Sequence, residues 1–307
     1  MIRRFILFIL FILILLVPAF AFADSVVFYT LGDGKAPYEP VAEAPSDMFP
    51  QDADLLTVDF IDRGASDCIL LRCGGETMLV DGAIFNQFKH IESVFAELEI
   101  THFTYLLNTH AHDDHIEGLL AILRRDYTVD EYMSCYPDGY RGSEYQTKAR
   151  ELLAAKDIPY RQIHDGDHFT LGTANVTVFR DETPGIDKNR HSIILKVVFG
   201  ERSLLLMADA GGQTQEYLLR LYNPDVFKAD VLKYPHHGYT VMISAFLKAV
   251  GPEVCVVTNT RASAALAEKQ LAAYHIPRYY TNSGVVRMQT DGKLWHAEQM
   301  PREWPLE

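Results

Sequence analysis

Cysteine is scarce in this sequence, and the usual signatures of nucleotide-dependent enzymes and serine hydrolases are missing. No Walker loop, dinucleotide-binding fingerprint or Gly-x-Ser-x-Gly nucleophile elbow occurs in the 307 residues. Four cysteines are too few to indicate a disulfide framework. Each lies in an apolar run, so we interpret all four as small core residues: Cys68, Cys73, Cys135 and Cys255.

Positive charge is also scarce. The chain has 28 lysines and arginines against 41 aspartates and glutamates, a formal net charge of −13 with histidine neutral. Long-range electrostatic attraction does not hold such a protein on nucleic acid or on an anionic membrane. The composition therefore disfavours a nucleic-acid-binding protein, although it leaves room for a small basic cleft.

Only one long apolar run is present, at the amino terminus. Two arginines precede it, residues 5–17 contain no polar side chain, and Ala21 and Ala23 follow at the spacing that signal peptidases cleave. We predict a signal peptide over residues 1–23 and a protein that is secreted or located in the bacterial envelope. Cleavage would remove two arginines and no acid, which changes the net charge from −13 to −15. The alternative is an uncleaved membrane anchor, because the run is nearly long enough to span a bilayer.

The rest of the chain predicts a single α/β domain. Residues 24–54 contain four prolines and few apolar clusters, so we expect a surface lead-in with one candidate strand at Val26–Thr30. Over residues 55–300, strand-like and helix-like stretches alternate without a compositional break. The expected strands are 55–61, 68–73, 77–80, 103–107, 127–135, 158–163, 176–179, 192–199, 203–207, a strand from 231, 254–258, 285–289 and 293–297, and the expected helices are 88–98, 116–123, 143–156, 213–222, 240–250 and 262–274.

The densest cluster of polar side chains lies between an apolar strand and a helix. His110-x-His112-x-Asp114-His115 places four metal-capable side chains within six positions. They lie on a loop, where side chains can converge without interrupting a backbone ladder. Imidazoles and carboxylates at this density suit Zn²⁺, with Mn²⁺ or Fe as alternatives. The sequence therefore predicts a metal site.

This motif resembles the signature of the metallo-β-lactamase superfamily. The resemblance implies an αββα sandwich, in which two mixed β-sheets are flanked by helices, and an active site with two divalent cations. It also implies that His110 and His112 bind one cation and that Asp114 and His115 bind the other.

In that family, a later aspartate at the end of an apolar strand bridges the two cations. Asp209 follows the apolar run Ser203–Ala208 and is our candidate. A carboxylate has two oxygens, so it can hold two cations a few ångströms apart. The alternative is that Asp209 only caps the next helix. Asp81 ends an earlier, similar strand, and the resemblance implies that it hydrogen-bonds the histidine loop without binding metal.

A strand that ends in two histidines and a glycine, Val231–Gly238, is the second family feature. It resembles the branch that contains the hydrolase domain of DNA-uptake channels and the phosphorylcholine esterases of teichoic acid. Residues 59–68 resemble the opening strands of that branch, although residues 64–67, Gly-Ala-Ser-Asp, depart from the usual Gly-Gln-Gly-Asp. We assign His236 as the ligand that completes the second metal site, and His237 as a neighbouring group or proton donor.

The third ligand of the first metal is less clearly marked. Many relatives place a histidine after Thr-Pro-Gly, but Ile186 follows Thr183–Gly185 here. The DNA-uptake branch instead carries an asparagine-rich stretch before a serine and a strand, which resembles residues 189–192. His191 is our candidate, with Asn189 as the alternative.

A second histidine–aspartate cluster, residues 164–168, is interpreted as a turn. Its sequence is His-Asp-Gly-Asp-His, and Gly-Asp before a strand is ordinary turn chemistry. We therefore predict that His164 and His168 do not bind metal.

The resemblance implies a hydrolase in which two cations lower the pKa of a shared water towards ~7, giving a bridging hydroxide that attacks phosphorus or a carbonyl carbon. Asp114 and His237 are the expected catalytic residues. We favour a phosphodiesterase for small-molecule or cell-envelope substrates, with no stable membrane partner after signal cleavage. An exported nuclease, a non-catalytic metal-stabilised binding module and, less favoured, a β-lactamase are the alternatives.

Four tyrosines and an arginine raise one further expectation about the substrate. They cluster around one strand end and its loop, where aromatic faces could bind a quaternary amine and a guanidinium could bind phosphate. The alternative is that the tyrosines simply pack a surface loop. The residues are Tyr132, Tyr136, Tyr140, Tyr145 and Arg141.

Overall fold

The structure is a computed structural model that describes residues 53–185 and 187–300, together with Phe49. The expected signal peptide, its membrane-anchor alternative and the Val26–Thr30 strand lie outside these residues. No helix in the described ranges is both long enough and apolar enough to cross a membrane. The division of the chain at residues 23 and 54 stays a prediction.

Fifteen strands within the described residues form two sheets. They are β1 (Leu56–Phe60), β2 (Ile69–Cys73), β3 (Glu76–Val80), β4 (His102–Asn108), β5 (Thr128–Ser134), β6 (Tyr160–Gln162), β7 (His168–Leu171), β8 (Ala174–Phe179), β9 (Ile194–Phe199), β10 (Arg202–Leu206), β11 (Val231–Lys233), β12 (Val254–Val257), β13 (Arg278–Tyr280), β14 (Val285–Thr290) and β15 (Trp295–Met300). The first sheet has the order β15-β14-β1-β2-β3-β4-β5-β6, and the second has the order β13-β12-β11-β10-β9-β8-β7.

Each sheet consists of a parallel part and an antiparallel part that meet at one strand. β3 pairs antiparallel with β2 and parallel with β4. β10 pairs antiparallel with β9 and parallel with β11. The two strands therefore occupy equivalent positions, as expected from their similar sequences. Asp81 lies just beyond the end of β3, and Asp209 lies just beyond the end of β10. The carboxyl ends of parallel strands are the usual place for ligands in mixed and parallel sheets.

Helices cover the outer faces of both sheets. They are α1 (Phe88–Glu97), α2 (Asp113–Leu123), α3 (Glu144–Ala155), α4 (Gly212–Leu221), α5 (Ser244–Val250) and α6 (Ala265–Ala273). One cluster of buried apolar side chains lies between the two sheets, a second joins the first sheet to α1–α3, and a third joins the second sheet to α4–α6. Strands that are buried on both faces read as continuous apolar runs, which is the pattern seen in the sequence. The predicted αββα sandwich is confirmed.

Most of the expected elements are present, with three differences. Neither β7 nor β13 was expected, because β7 alternates polar and apolar residues on a sheet edge and β13 has only three residues, Arg-Tyr-Tyr. The helix expected from residue 240 begins at Ser244, because the backbone amides of Met242 and Ile243 donate to side chains instead. Residues 235–238, before this segment, form a tight turn after β11. That turn carries the two neighbouring histidines of the Val231–Gly238 segment.

Candidate metal centre

The histidine loop connects β4 to α2 and presses against the end of β3. Asp113 begins α2, so Asp114 and His115 lie in its first turn. Gly118 of α2 packs directly on the backbone of Gly82, and a Cβ atom on Gly118 would lie 1.7 Å from the Gly82 carbonyl oxygen. Only glycine permits this approach, which brings the first turn of α2 against the end of β3.

Asp81 orients two histidines through their Nδ1 sides. Its Oδ2 accepts a hydrogen bond from His115 Nδ1 at 2.7 Å and another from the Thr109 hydroxyl at 2.6 Å. The same hydroxyl lies 3.1 Å from His110 Nδ1 and can accept its proton. With Nδ1 protonated, the Nε2 atoms of His110 and His115 keep their lone pairs for another partner. The structure therefore contains the contacts with the histidine loop that were expected of Asp81.

The two oxygens of Asp209 face different histidines. Oδ1 lies 3.3 Å from His115 Nε2 and 3.3 Å from His237 Nε2. Oδ2 lies 3.7 Å from His110 Nε2 and 3.7 Å from His236 Nε2. A carboxylate that bridges two cations needs this division of its oxygens.

Three buried polar atoms at this point fit a metal ion. His115 Nε2, His237 Nε2 and Asp209 Oδ1 have no hydrogen-bond partner among the described residues, although they converge. Asp114 joins them, since its Oδ2 lies 3.3 Å from His237 Nε2. Two ligands at 2.0–2.1 Å from a tetrahedral Zn²⁺ are themselves roughly 3.3 Å apart. The second site therefore has three converging donors at the spacing of a metal ion, and Asp114 adjoins them through His237.

The donors of the first site are less closely grouped. His110 Nε2 lies 3.0 Å from His112 Nδ1, so both imidazoles point to a shared position. His110 also lies within 4.8 Å of Asp209 and His115 through its donor atoms, whereas His112 is in no such group. The geometry thus supports a first site beside the second, with fewer donors in place.

The buried carboxylates at the centre favour the binding of cations. Burial alone would lower the pKa of His237, but the carboxylates of Asp209 and Asp67 outweigh it and raise that pKa to about 9. Burial would likewise lower the pKa of His115, which Asp209 and Asp81 hold well above its usual value. Burial would raise the pKa of Asp209, yet His237 and His115 hold it well below its usual value. Protonated histidines thus compensate buried carboxylates, and divalent cations can take over that role.

The two neighbouring histidines differ in burial, and the one expected to be a neighbouring group, His237, lies deeper than the expected ligand His236. His237 is buried, with Nε2 among the donors of the second site, whereas the His236 side chain is 28% exposed. Both residues have a left-handed backbone, with φ of 50° and 49°. Such conformations are costly for residues other than glycine and concentrate at functional sites. His237 Nε2 thus lies among the donors of the second site and His236 lies on the accessible side, and which of the two binds metal stays a prediction.

Neither candidate for the third ligand of the first metal joins these groups. His191 packs its ring against Tyr136, with ring centroids 5.5 Å apart. Ser192 reaches the site instead: its hydroxyl accepts a hydrogen bond from the Asp209 amide at 3.2 Å and lies 3.5 Å from His110 Nδ1. His191 Nδ1 and Asn189 Oδ1 are buried without a hydrogen-bond partner in the described part of the chain. Ligation by either residue stays a prediction.

The 164–168 cluster forms the expected turn. Asp167 accepts a hydrogen bond from the backbone amide of His164, and the exposed His168 lies 3.0 Å from the Thr177 hydroxyl. Neither histidine belongs to a group of metal-capable donors within the described residues.

The four tyrosines do not form an aromatic cage. Tyr132 is fully buried, Tyr136 stacks on Tyr140, and the Tyr145 hydroxyl donates to Glu117 on another face of α2. Tyr136 supports the metal loop, because its hydroxyl oxygen accepts a hydrogen bond from the Ala111 amide at 3.2 Å. The alternative interpretation, in which these tyrosines have a packing role and do not bind substrate, describes them better.

Two buried residues at the centre were not identified from the sequence. Asp67 lies 3.4 Å from His237 Nδ1 through Oδ1, and Lys233 Nζ contacts the other oxygen of Asp67. The available signals were the aspartate that residues 64–67 share with the family pattern and a lone lysine that ends an apolar strand. Neither signal identifies a partner 166 residues away in the chain.

Comparison with known proteins agrees with this geometry. A sequence model described as the metallo-beta-lactamase superfamily matches residues 61–257. Recombination protein 2 of Haemophilus influenzae is 27% identical over 214 residues, 66% of this chain and 24% of that protein. Competence protein ComA of Neisseria gonorrhoeae is 36% identical over 84 residues, 27% of this chain and 12% of that protein. The chain spans about a quarter or less of the length of these relatives.

A solved structure shares the fold. The metallo-beta-lactamase fold protein YhfI from Bacillus subtilis aligns with a TM-score of 0.53 and 15% identity, covering 76% of this chain and 99% of that one. The family match includes the histidine loop, Asp209 and both neighbouring histidines. The chain therefore belongs to the metallo-beta-lactamase superfamily, a family of metal-dependent hydrolases.

Proposed function

We propose that this protein is an exported, binuclear metal-dependent phosphodiesterase for small or cell-envelope phosphodiesters. The observation that carries the proposal is the division of the Asp209 oxygens between two sets of histidines. Paired cations suit a phosphodiester, because they can contact the attacking and the leaving oxygen of one in-line displacement. Zn²⁺ is our first choice of cation, since the donors are imidazoles and carboxylates, and Mn²⁺ or Fe are the alternatives.

The residues of the chain position the reaction. Two cations at the centre would supply a water nucleophile of lowered pKa and positive charge for the phosphoryl oxygens. Asp81 and Thr109 hold His115 and His110 in the tautomers that direct Nε2 to the centre. We assign His236, which lies on the accessible side, as the proton donor. Its Nε2 atom would transfer a proton to the leaving oxygen.

A positive charge at the rim favours an anionic substrate. Lys188 immediately precedes the turn Asn189–His191, and Ser192, the next residue after that turn, lies 3.5 Å from His110 Nδ1. Burial lowers the pKa of His112, the Asp114 carboxylate raises it and the Lys188 ammonium lowers it. In a chain with net charge −13, this lysine gives the entrance a local attraction for phosphate. Tyr239 and Val241 add an exposed apolar edge beside His236. A small phosphodiester with an organic leaving group fits this combination.

The location outside the cytoplasm rests on the amino-terminal sequence. Arginines, an apolar run and Ala21-x-Ala23 are arranged as in a cleavable signal peptide. Amino-terminal sequencing of the exported protein should begin at Asp24. A sequence that begins at Met1 would favour the membrane anchor.

A nuclease is the second candidate, because two relatives carry names from DNA competence and recombination. The acidic surface argues against it, since phosphate contacts from lysine and arginine dominate the affinity for DNA. The two candidates differ in the size of substrate that is cleaved.

The test compares four substrates with Zn²⁺ and Mn²⁺ supplied separately. We expect kcat/KM for bis-p-nitrophenyl phosphate or p-nitrophenyl phosphorylcholine to exceed that for a chromogenic cephalosporin and for plasmid DNA. Lys188→Ala should raise KM for the phosphodiesters with a smaller effect on kcat. A higher value with the cephalosporin refutes the substrate class, and a higher value with DNA at moderate salt establishes the nuclease.

A further inference from the structure

An ion pair between the two sheets lies directly behind the second metal site. Asp67 precedes β2 in the first sheet, and Lys233 ends β11 in the second. Lys233 Nζ contacts Oδ2 of Asp67, and both side chains are buried. A buried charge is tolerated only when it is paired and hydrogen-bonded, so neither residue can be explained without the other.

Each member of the pair also contacts the metal centre. Lys233 Nζ donates to the carbonyl oxygen of Ala208 at 3.0 Å, and Ala208 immediately precedes Asp209. The backbone of Ala208 is left-handed, with φ of 43°, and its carbonyl oxygen also accepts a hydrogen bond from the His236 amide at 2.9 Å. The lysine thus holds the strained backbone that presents the bridging carboxylate.

Asp67 approaches two of the histidines from their Nδ1 sides, and its carboxylate also lies within 4.8 Å of donor atoms of Asp209 and His237. Its Oδ1 lies 3.4 Å from His237 Nδ1, and its Oδ2 lies 3.8 Å from His115 Nδ1. Both imidazoles direct Nε2, on the other side of the ring, towards Asp209. Asp67 therefore lies behind His237 on the side that Asp81 occupies behind His115, but its Oδ1 is 3.4 Å away and makes no hydrogen bond in the described part of the chain, whereas Asp81 hydrogen-bonds His115 at 2.7 Å. A carboxylate behind a ligating histidine fixes its orientation and raises its basicity.

The backbone of Asp67 adds two further links. Its amide donates to the carbonyl oxygen of Asp114 at 3.2 Å, and its carbonyl oxygen accepts a hydrogen bond from Ala83 at 2.7 Å. The same residue thus touches the first turn of α2, the segment after β3, His237 and Lys233. A change at Asp67 is transmitted to the second metal site from both sheets.

We propose that Asp67 and Lys233 are positioning residues that align His237 and the Asp209 backbone for binding of the second metal ion. The pair acts through the ligands and does not bind the cation itself. The inference rests on the metal centre of the proposed function, but it does not depend on the substrate.

Thr258 is the rival for the orientation of His237. Its hydroxyl oxygen lies 3.0 Å from His237 Nδ1, closer than Asp67. If the hydroxyl alone orients the imidazole, Asp67 and Lys233 serve stability only. Thr258→Val separates the two explanations, because it removes the hydroxyl and keeps the ion pair.

The experiment uses Asp67→Asn, Lys233→Met and the double variant. Zn²⁺ is titrated into the metal-free protein against a chromophoric chelator, and the Co²⁺ absorption spectrum and urea unfolding are recorded. We expect each single variant to lose stability and to bind the second equivalent of Zn²⁺ ~10–100-fold more weakly. The double variant leaves no unpaired charge, so we expect it to regain stability but to keep the weak second site and an altered Co²⁺ spectrum.

Wild-type affinity for both equivalents in the double variant would overturn the proposal, as would loss of affinity in Thr258→Val but not in Asp67→Asn. If the single variants do not fold, the double variant decides alone. Glu268→Gln is the matched control, because it breaks the pair between a half-buried carboxylate on α6 and the buried Arg278 on β13 and should lower stability with unchanged Zn²⁺ affinity. A wild-type protein that binds two Zn²⁺ but cleaves no phosphodiester refutes the proposed substrate and leaves this inference standing.

Discussion

His237 Nε2 lies 3.3 Å from Asp209 Oδ1, and this contact joins the ends of two neighbouring parallel strands. The register of β10 and β11 pairs Leu206 with Lys233, so three residues further on Asp209 corresponds to His236. The left-handed backbone at both histidines ends this correspondence and places the second histidine in the buried position. Strand register brings His236 towards Asp209, and the turn brings His237 closer still.

Asp209→Asn should lose at least one of two bound cations. A neutral amide compensates two adjacent cations far less well than a carboxylate that faces both. Metal content per chain, measured by mass spectrometry after gel filtration, checks the prediction. Asp167→Asn in the 164–168 turn is the matched control and should keep both cations. Full metal content in Asp209→Asn would remove this residue from the site.

The neighbouring histidines should respond differently to substitution. His237→Ala removes a buried donor of the second site, so we expect loss of one cation and a fall in kcat/KM of more than ~100-fold. His236→Ala removes a more accessible group, and we expect most of the metal to remain while kcat falls. Metal analysis with steady-state kinetics on both variants measures this. The reverse pattern would restore the original assignment of His236 as ligand.

Local signals in the sequence identified the fold and brought most of the candidate residues into view. The spacing of His110, His112, Asp114 and His115 indicates a metal site by itself, whereas Asp209, at the end of an apolar strand, was expected from the family resemblance. Asp67 and Lys233 belong to different sheets and give no local signal, although they meet in the structure. Their pairing depends on how the two sheets pack, which a single sequence does not reveal.

The choice between the two neighbouring histidines was also beyond the sequence. Their φ values near +50° follow from the tight turn after β11. Gly238 fits that turn because a Cβ atom there would lie 2.7 Å from the Cβ atom of Ala264. The packing of α6 against the turn, and not the residue types, determines which imidazole points inward.

Loss of a true ligand should be distinguishable from loss of a turn histidine. His112→Ala should lower metal affinity and reduce phosphodiesterase activity by more than ~100-fold, because His112 converges with His110 on the first site. His168→Ala should leave both unchanged, since this exposed histidine lies beside Thr177. Comparable losses in the two variants would mean that the 164–168 turn takes part in the site.

Away from the metal centre, the ion pair between Glu268 of α6 and Arg278 of β13 should make a pH-dependent contribution to the free energy of unfolding. Glu268 accepts hydrogen bonds from Arg278 Nε at 2.7 Å and Nη2 at 2.5 Å, and from the Tyr280 hydroxyl at 2.6 Å. The Arg278 side chain is 1% exposed and that of Glu268 is 20% exposed. Glu268→Gln removes the carboxylate that contacts this buried arginine, so we expect a loss of about 3 kcal/mol in the free energy of unfolding at pH 7. Urea denaturation measures it.

The loss of unfolding free energy in Glu268→Gln should become smaller at acidic pH. The pKa of Glu268 is lowered from the usual 4.5 to about 2. The largest cause is the hydrogen bonding from Arg278, which outweighs the opposing effect of burial. A carboxyl whose pKa is lower in the folded state stabilises fully above its unfolded pKa, and the contribution disappears as the pH falls towards the folded pKa. The difference between wild type and Glu268→Gln should therefore be constant from pH 7 to about pH 5 and decrease steadily from about pH 4.5 downwards. A difference in unfolding free energy that stays the same at pH 3 would show that the carboxylate charge does not stabilise this pair.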